Sequence, residues 1–205
     1  MAARREQRNS DTAARILDVA ARLVQSRGFN GFSYADIASE LGISKASLHY
    51  HFAGKAELGE ALIRRYAERF AEALEEIDRG GADAPRKLDA YARLYADVLR
   101  ENRMCLCGML AADYDTLPEP MQESVVRFFD ENEAWLTGVL EQGDEERSLR
   151  FGGAASEAAH AIVGGLEGAM LIARPYGDMR RFEATAARLL ESLAHTSSPV
   201  APPDR

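Results

Sequence analysis

An all-α fold follows from three features of the 205-residue sequence. Apolar residues recur at i, i+3, i+4 and i+7, the spacing of one helical face. No run of alternating β-branched residues is long enough to build a sheet. Ala, Leu, Glu and Arg, all strong helix formers, fill the positions between the apolar ones.

Each predicted helix has its own boundaries. The first, over 12–27, carries Ile16, Ala20, Leu23 and Val24 on one face and stops at Gly28. A loop over 29–33 leads to two short helices, 34–41 and 45–51, with Gly42 between them. Ala53 and Gly54 separate these from a long helix over 55–79, which Gly80 and Gly81 end. Pro85 suits the first turn of the fifth helix, 85–101, whose face is Leu88, Ala92, Tyr95 and Leu99. A sixth covers 104–115. Pro118 and Pro120 open the seventh, 119–142, with Met121, Val125, Phe128, Trp135 and Val139 in register. Gly143, Gly152 and Gly153 break it from the eighth, 154–174. Pro175, Tyr176 and Gly177 precede the ninth, 178–195, with Phe182, Leu189 and Leu193. Residues 1–10 read as a flexible basic arm and 196–205 as a disordered tail.

Composition excludes several classes. With 46% hydrophobic and 28% charged residues, wholesale disorder is not expected. The longest apolar stretch, near Gly164–Ala173, is interrupted by Glu167 and falls short of the roughly 20 residues that span a bilayer. The start shows no secretory signal, and a cytoplasmic setting is expected. The net charge of −8 argues against a uniformly basic nucleic-acid binder, but it is unevenly placed. Residues 1–58 hold 8 basic and 6 acidic side chains, a balance of +2; the remaining 17 basic and 27 acidic give −10.

The informative segment is Tyr34–Phe52, YADIASELGISKASLHYHF. Where two short helices cross, their backbones approach, and Ala38 is small enough to allow it. Gly42 tolerates the positive φ of the turn. Ile37, Leu41, Ile43 and Leu48 form the wedge between the helices, with Ser33 and Ser44 placed as N-caps. The outer face of the second helix offers Lys45, small Ala46 and Ser47, then His49, Tyr50 and His51, with Lys55 following. Small residues near a helix N-terminus permit approach to base edges, while Lys and Tyr meet phosphates. A helical hairpin with no ligand has the same spacing, so spacing alone leaves that alternative open.

Over Thr12–Leu58 the sequence resembles the TetR/AcrR family of transcriptional regulators. Gly28, Phe29, Ser33, Ile37, Ala38, Gly42, Ile43, Ser44, Leu48, Phe52, Lys55 and Leu58 fall on that family's pattern. The resemblance implies a helix-turn-helix domain over 11–58 and an effector-binding, dimerising domain over 59–195. It implies phosphate contacts from Ser33 and Lys55 and from Tyr50 or His51, with Lys45, Ala46 and Ser47 reading bases. His49 stands where the family usually has Tyr. Arg4, Arg5 and Arg8 form either a DNA-attracting arm or a solvated tail.

In the resembled family the last two helices pair two subunits on a palindromic operator. Here Gly164, Gly165 and Gly168 stand in the eighth helix beside Ala161, each costing about 1 kcal/mol of helix propensity. Close helix approach is a reason to keep them, either across a dimer with Phe182, Leu189 and Leu193 or within one subunit. Tyr91, Tyr95, Met109, Phe128 and Trp135 are candidates to enclose a small-molecule effector, with plain core as the alternative. His160 and Glu167 interrupt an apolar helix, as ligand contacts or as a satisfied pair. Cys105 and Cys107, at i and i+2 on a helix, point about 200° apart and do not share a metal. They are either small apolar residues or, as in some relatives, an electrophile or redox sensor, with Arg103 and a helix N-terminus favouring the thiolate.

No G-x-S-x-G, H-E-x-x-H, P-loop or G-x-G-x-x-G motif is present, so no catalytic residues, cofactor or metal are expected. The reading is a homodimeric, effector-released repressor bound to double-stranded DNA. A thiol-sensing regulator of the same fold, or an activator, are the alternatives.

Overall fold

The computed structural model describes residues 2–193, without the side chains of residues 2–6 and 8. The proposed arm residues Arg4, Arg5 and Arg8 have their side chains outside this description, as does the whole tail 196–205. Nine α-helices occur among the described residues: α1 Ala2–Arg27, α2 Tyr34–Leu41, α3 Lys45–His51, α4 Lys55–Arg79, α5 Ala84–Arg100, α6 Leu106–Ala112, α7 Glu119–Glu145, α8 Ala155–Ala173 and α9 Met179–Glu191. Short 3₁₀ turns, Tyr114–Thr116 and Arg174–Tyr176, follow α6 and α8, and there are no strands among these residues.

Several bounds depart from the expected ones; α7 runs on to Glu145, past 142, and α9 ends at Glu191, short of 195. Helix α1 starts at Ala2, not at residue 12, so residues 2–10 are helical rather than a loose arm. No Gly or Pro interrupts the chain before Gly28, and Gln7 donates to Asp11 one turn on, at 3.1 Å. Helix α6 covers only Leu106–Ala112 of the expected 104–115. Cys105 becomes its N-cap, its Sγ accepting from the Gly108 amide at 3.4 Å.

Helices α1–α3 close over Ile16, Ala20, Leu23, Ile37, Ala38 and Leu48, all buried. Gly42 takes φ 64° between α2 and α3, the left-handed conformation a side chain would resist. Helices α4, α5 and α7 share an aromatic core. Phe70 meets Tyr91, Tyr95 and Phe128 edge-on, at centroid distances of 6.0, 6.2 and 5.3 Å. Helix α8 packs against both α7 and α9.

Candidate nucleic-acid interface

The candidate reading element is α3. Its start is set by Ser44, whose Oγ accepts from the Ser47 amide at 3.1 Å. Leu48 is fully buried and anchors the helix to α1 and α2. That anchor turns Lys45, Ala46, His49 and Tyr50 outward, at the i, i+1, i+4, i+5 spacing of one face. Tyr50 is 71% exposed, although an aromatic ring normally seeks burial. It meets His51 edge-on at 5.3 Å. Lys45 and Ala46 are exposed, and Ser47 is half-buried.

Other predicted contacts are engaged inside the subunit. Lys55 points inward, donating to the carbonyl oxygens of Phe29 and of Phe32, the latter at 2.7 Å. Its ammonium also lies 4.6 and 4.2 Å from the centroids of those two rings. Partial burial lowers its pKa, with Asp113 and Asp36 opposing. In this position its charge ties down the loop. His49 places Nδ1 3.0 Å from the Ala53 carbonyl and its ring 4.9 Å from that of Tyr34. It secures the end of α3. Ser33 gives both its amide and its hydroxyl to Asp36, each at 2.7 Å, so its hydroxyl closes the start of α2.

A second set of contacts joins this head to the body, and residue types alone did not reveal it. The Gln25 side chain donates to the Met104 carbonyl at 3.0 Å, and the Met104 amide returns a bond to the Gln25 carbonyl at 3.1 Å. Asp113 accepts from the Phe29 amide at 2.7 Å, and Arg174 donates to the Ser26 carbonyl. Gly28, at φ 81°, lets the chain turn beside Asp113; a Cβ there would lie 3.0 Å from the carboxylate. The end of α1 is therefore fastened to both ends of α6 and to the turn after α8.

Behind α6 lie the proposed effector residues. Tyr91, Tyr95, Phe128 and Cys105 are buried. The Tyr91 hydroxyl is 3.1 Å from that of Tyr95 and donates to Asn132 at 3.3 Å. Trp135 is half-buried; it stacks on Tyr91 at 5.7 Å and donates to Asp78 at 2.8 Å. Met109 is half-buried, with its sulfur 3.8 Å from the Arg174 guanidinium.

Glu167 is half-buried, yet its Oε1 is sealed from solvent without a hydrogen bond among the described residues. Its Oε2 lies over Gly108, where a Cβ would come within 2.2 Å. Burial raises its carboxyl to about 7, with the Cys105 thiol acting in the opposite direction. It is no satisfied pair with His160, which instead faces Glu133 at 3.2 Å.

The cysteines depart from expectation. Cys105 is a cap and not a helical residue, so the helical angle between the two thiols does not apply. Both are free and buried. Burial pushes both thiols well above the usual range, and the Glu167 carboxylate adds to it. The expected help from Arg103 is absent, because its guanidinium is turned to Glu101 and Gln25. Among the described residues no three of His, Cys, Asp and Glu stand together as a metal cluster.

On the far side, α8 separates its glycines. A Cβ on Gly165 would lie 2.7 Å from Leu189, so that pair joins α8 to α9 within one subunit. Phe182 is buried there too, and Leu193 is half-buried. Phe182, Gly165 and Leu189 thus hold α8 to α9 within the subunit. Gly164 and Gly168 face open space, and Ala161 is exposed beside them. Leu171 and Ile172, each 60% exposed, extend the same stripe. The i, i+3, i+7, i+11 spacing from Ala161 would have found Ile172.

Comparison with known proteins agrees with this architecture. Residues 16–62 match the model of bacterial regulatory proteins, tetR family, and 84–189 the tetracyclin repressor-like C-terminal domain. A TetR-family transcriptional regulator from Agrobacterium tumefaciens superposes with TM-score 0.88 at 32% identity, covering 91% of this chain and 100% of its own. A TetR transcriptional regulator from Legionella pneumophila gives TM-score 0.76 at 35% identity, covering 87% and 95%. The HTH-type transcriptional repressor NemR of Escherichia coli is 26% identical over 199 residues, 94% of this chain and 96% of its own.

Proposed function

We propose, from the premise that this chain belongs to the tetR family of bacterial regulatory proteins, that it is a homodimeric repressor released from a palindromic operator by a small molecule. Family members are DNA-binding transcription factors, not enzymes. No described helix is long and apolar enough to cross a membrane, and we assign the chain to the cytoplasm, where its DNA lies. In this reading residues 11–58 hold the DNA and 59–195 pair the subunits and take the effector.

The observation that carries the reading is the α3 face: Lys45, Ala46 and Tyr50 are exposed on a helix held rigidly by Leu48. Ala46 suits a thymine methyl, and Lys45 and Tyr50 suit phosphate or base edges. One seven-residue helix reads few bases, so two copies are needed for specificity. The stripe Ala161, Gly164, Gly168 and Ile172 is the surface we assign to the second copy. Its small residues permit close helix approach, and its exposed Leu and Ile supply apolar area.

The contacts between α1 and α6 supply the coupling. An effector favouring a different packing of α6, with its cap Cys105 and its Met109, against Tyr91 and Glu167 shifts Met104 and Asp113, and with them the end of α1. That changes the spacing of the paired α3 helices and the operator affinity. We assign a reversible ligand and not thiol chemistry, because burial and Glu167 both oppose the thiolate. Electrophoretic shift of DNA from upstream of the gene tests the reading. Retarded DNA, lost in Lys45→Ala or Tyr50→Ala, is expected; sequence-insensitive binding untouched by both substitutions overturns it.

A further inference from the structure

A groove of about 630 Å³ opens where the head meets the body, bordering the aromatic core through Phe70 and Tyr66. One wall is α1; the other is α4 and α5. Its volume lies within the range of small-molecule sites, roughly 300–1,000 Å³. Tyr66, Phe70, Leu94 and Val98 line it, each half-buried and therefore offering apolar surface to an occupant. Phe70 and Tyr66 lie 6.2 Å apart with their rings tilted 37°, a broad aromatic wall.

The charges around the groove are unevenly satisfied. Asp18 is paired with Arg65, and Glu40 with Arg22. Arg103 is held by Glu101 and Gln25. Arg69 lines the groove on α4, is exposed, and has no ion-pair partner among the described residues. Both acids of the lining are thus neutralised, and one guanidinium remains over an apolar wall.

We propose that this groove binds a small amphiphilic anion: a flat or chain-like apolar body carrying one carboxylate or sulfonate. The body lies on Tyr66, Phe70 and Leu94, and the anionic group meets Arg69, whose planar fork suits two oxygens. A neutral ligand would leave the Arg69 cation unpaired, and a second anionic group would find Arg22 and Arg103 already held by Glu40 and Glu101. Because the walls belong to the head on one side and the body on the other, an occupant also acts on their mutual angle. That consequence rests on the repressor reading; occupancy itself does not.

The test uses the full chain without DNA, so its outcome is separate from operator binding. Anilinonaphthalene sulfonate is titrated and followed by fluorescence, beside phenylnaphthylamine, a similar body lacking the sulfonate. The anionic probe is expected to bind one per subunit and at least about tenfold tighter than the neutral one, the range of a charge-assisted contact. Arg69→Ala lowers its affinity about tenfold and leaves the neutral probe unchanged. Ala73→Trp, which fills the groove, removes both, with circular dichroism confirming the fold of each variant. Equal binding of the two probes, or unchanged affinities in both variants, overturns the proposal, as does no saturable binding by the wild type.

Discussion

Lys55 and Lys45 carry the same charge in opposite settings, and salt separates them. Lys45 is free on α3, so Lys45→Ala is expected to reduce the slope of log affinity against log salt by about 2 per bound dimer, one for each subunit. Lys55 holds two carbonyl groups and two aromatic rings. Lys55→Met is expected to leave that slope unchanged and to destabilise the fold by about 1–3 kcal/mol in chemical denaturation. Position in the motif marks both residues for DNA, because residue type does not say which way a long side chain turns. Glu167 gives a second residue-scale prediction. Its carboxyl titrates near 7 when folded, against an ordinary 4.5, so the folded state holds the proton more tightly. The contribution of this group to stability is full below pH 4.5, is lost as pH rises to 7, and stays lost above. The loss is about 3 kcal/mol at the conversion of 1.36 kcal/mol per pH decade. Glu167→Gln should abolish this difference, so denaturation curves of the two proteins coincide at low pH and the variant is the more stable at pH 8.

At the scale of elements, α8 puts two kinds of glycine on one helix. Gly165 is needed inside the subunit, under Leu189, whereas Gly164 and Gly168 front open space. Ile172→Arg, on the open stripe, is expected to leave the helical circular dichroism of the folded subunit nearly unchanged. It should halve the mass measured by sedimentation velocity at micromolar concentration, since a buried unpaired guanidinium opposes association. The three glycines alone did not distinguish these roles, because their side-chain-free positions look alike in sequence. The bounds of α2 and α3 were legible, since Ser33, Gly42 and Ser44 punctuate them chemically. The start of α1 was not: residues 2–10 are polar enough to resemble a loose arm, yet nothing among them breaks a helix. Tyr91, Tyr95 and Phe128 were legible as inward-facing, but core and cavity lining share one periodicity, and the groove beside α1 combines residues far apart in sequence.

For the whole molecule, the division of charge places +2 with the reading head and −10 with the body. In the proposed homodimer, an acidic body turned away from DNA would weaken loose association and leave the paired α3 helices to set affinity. The joints of Gln25, Phe29 and Ser26 to Met104, Asp113 and Arg174 make the angle of the head depend on the packing of the body. The claim that two such heads read DNA together is tested most directly by selecting bound duplexes from a random library and sequencing them. Enrichment of one motif made of two inverted half-sites is expected, lost when Tyr50→Ala replaces the wild type. Enrichment of no motif, or of a single half-site without its inverted partner, would contradict it.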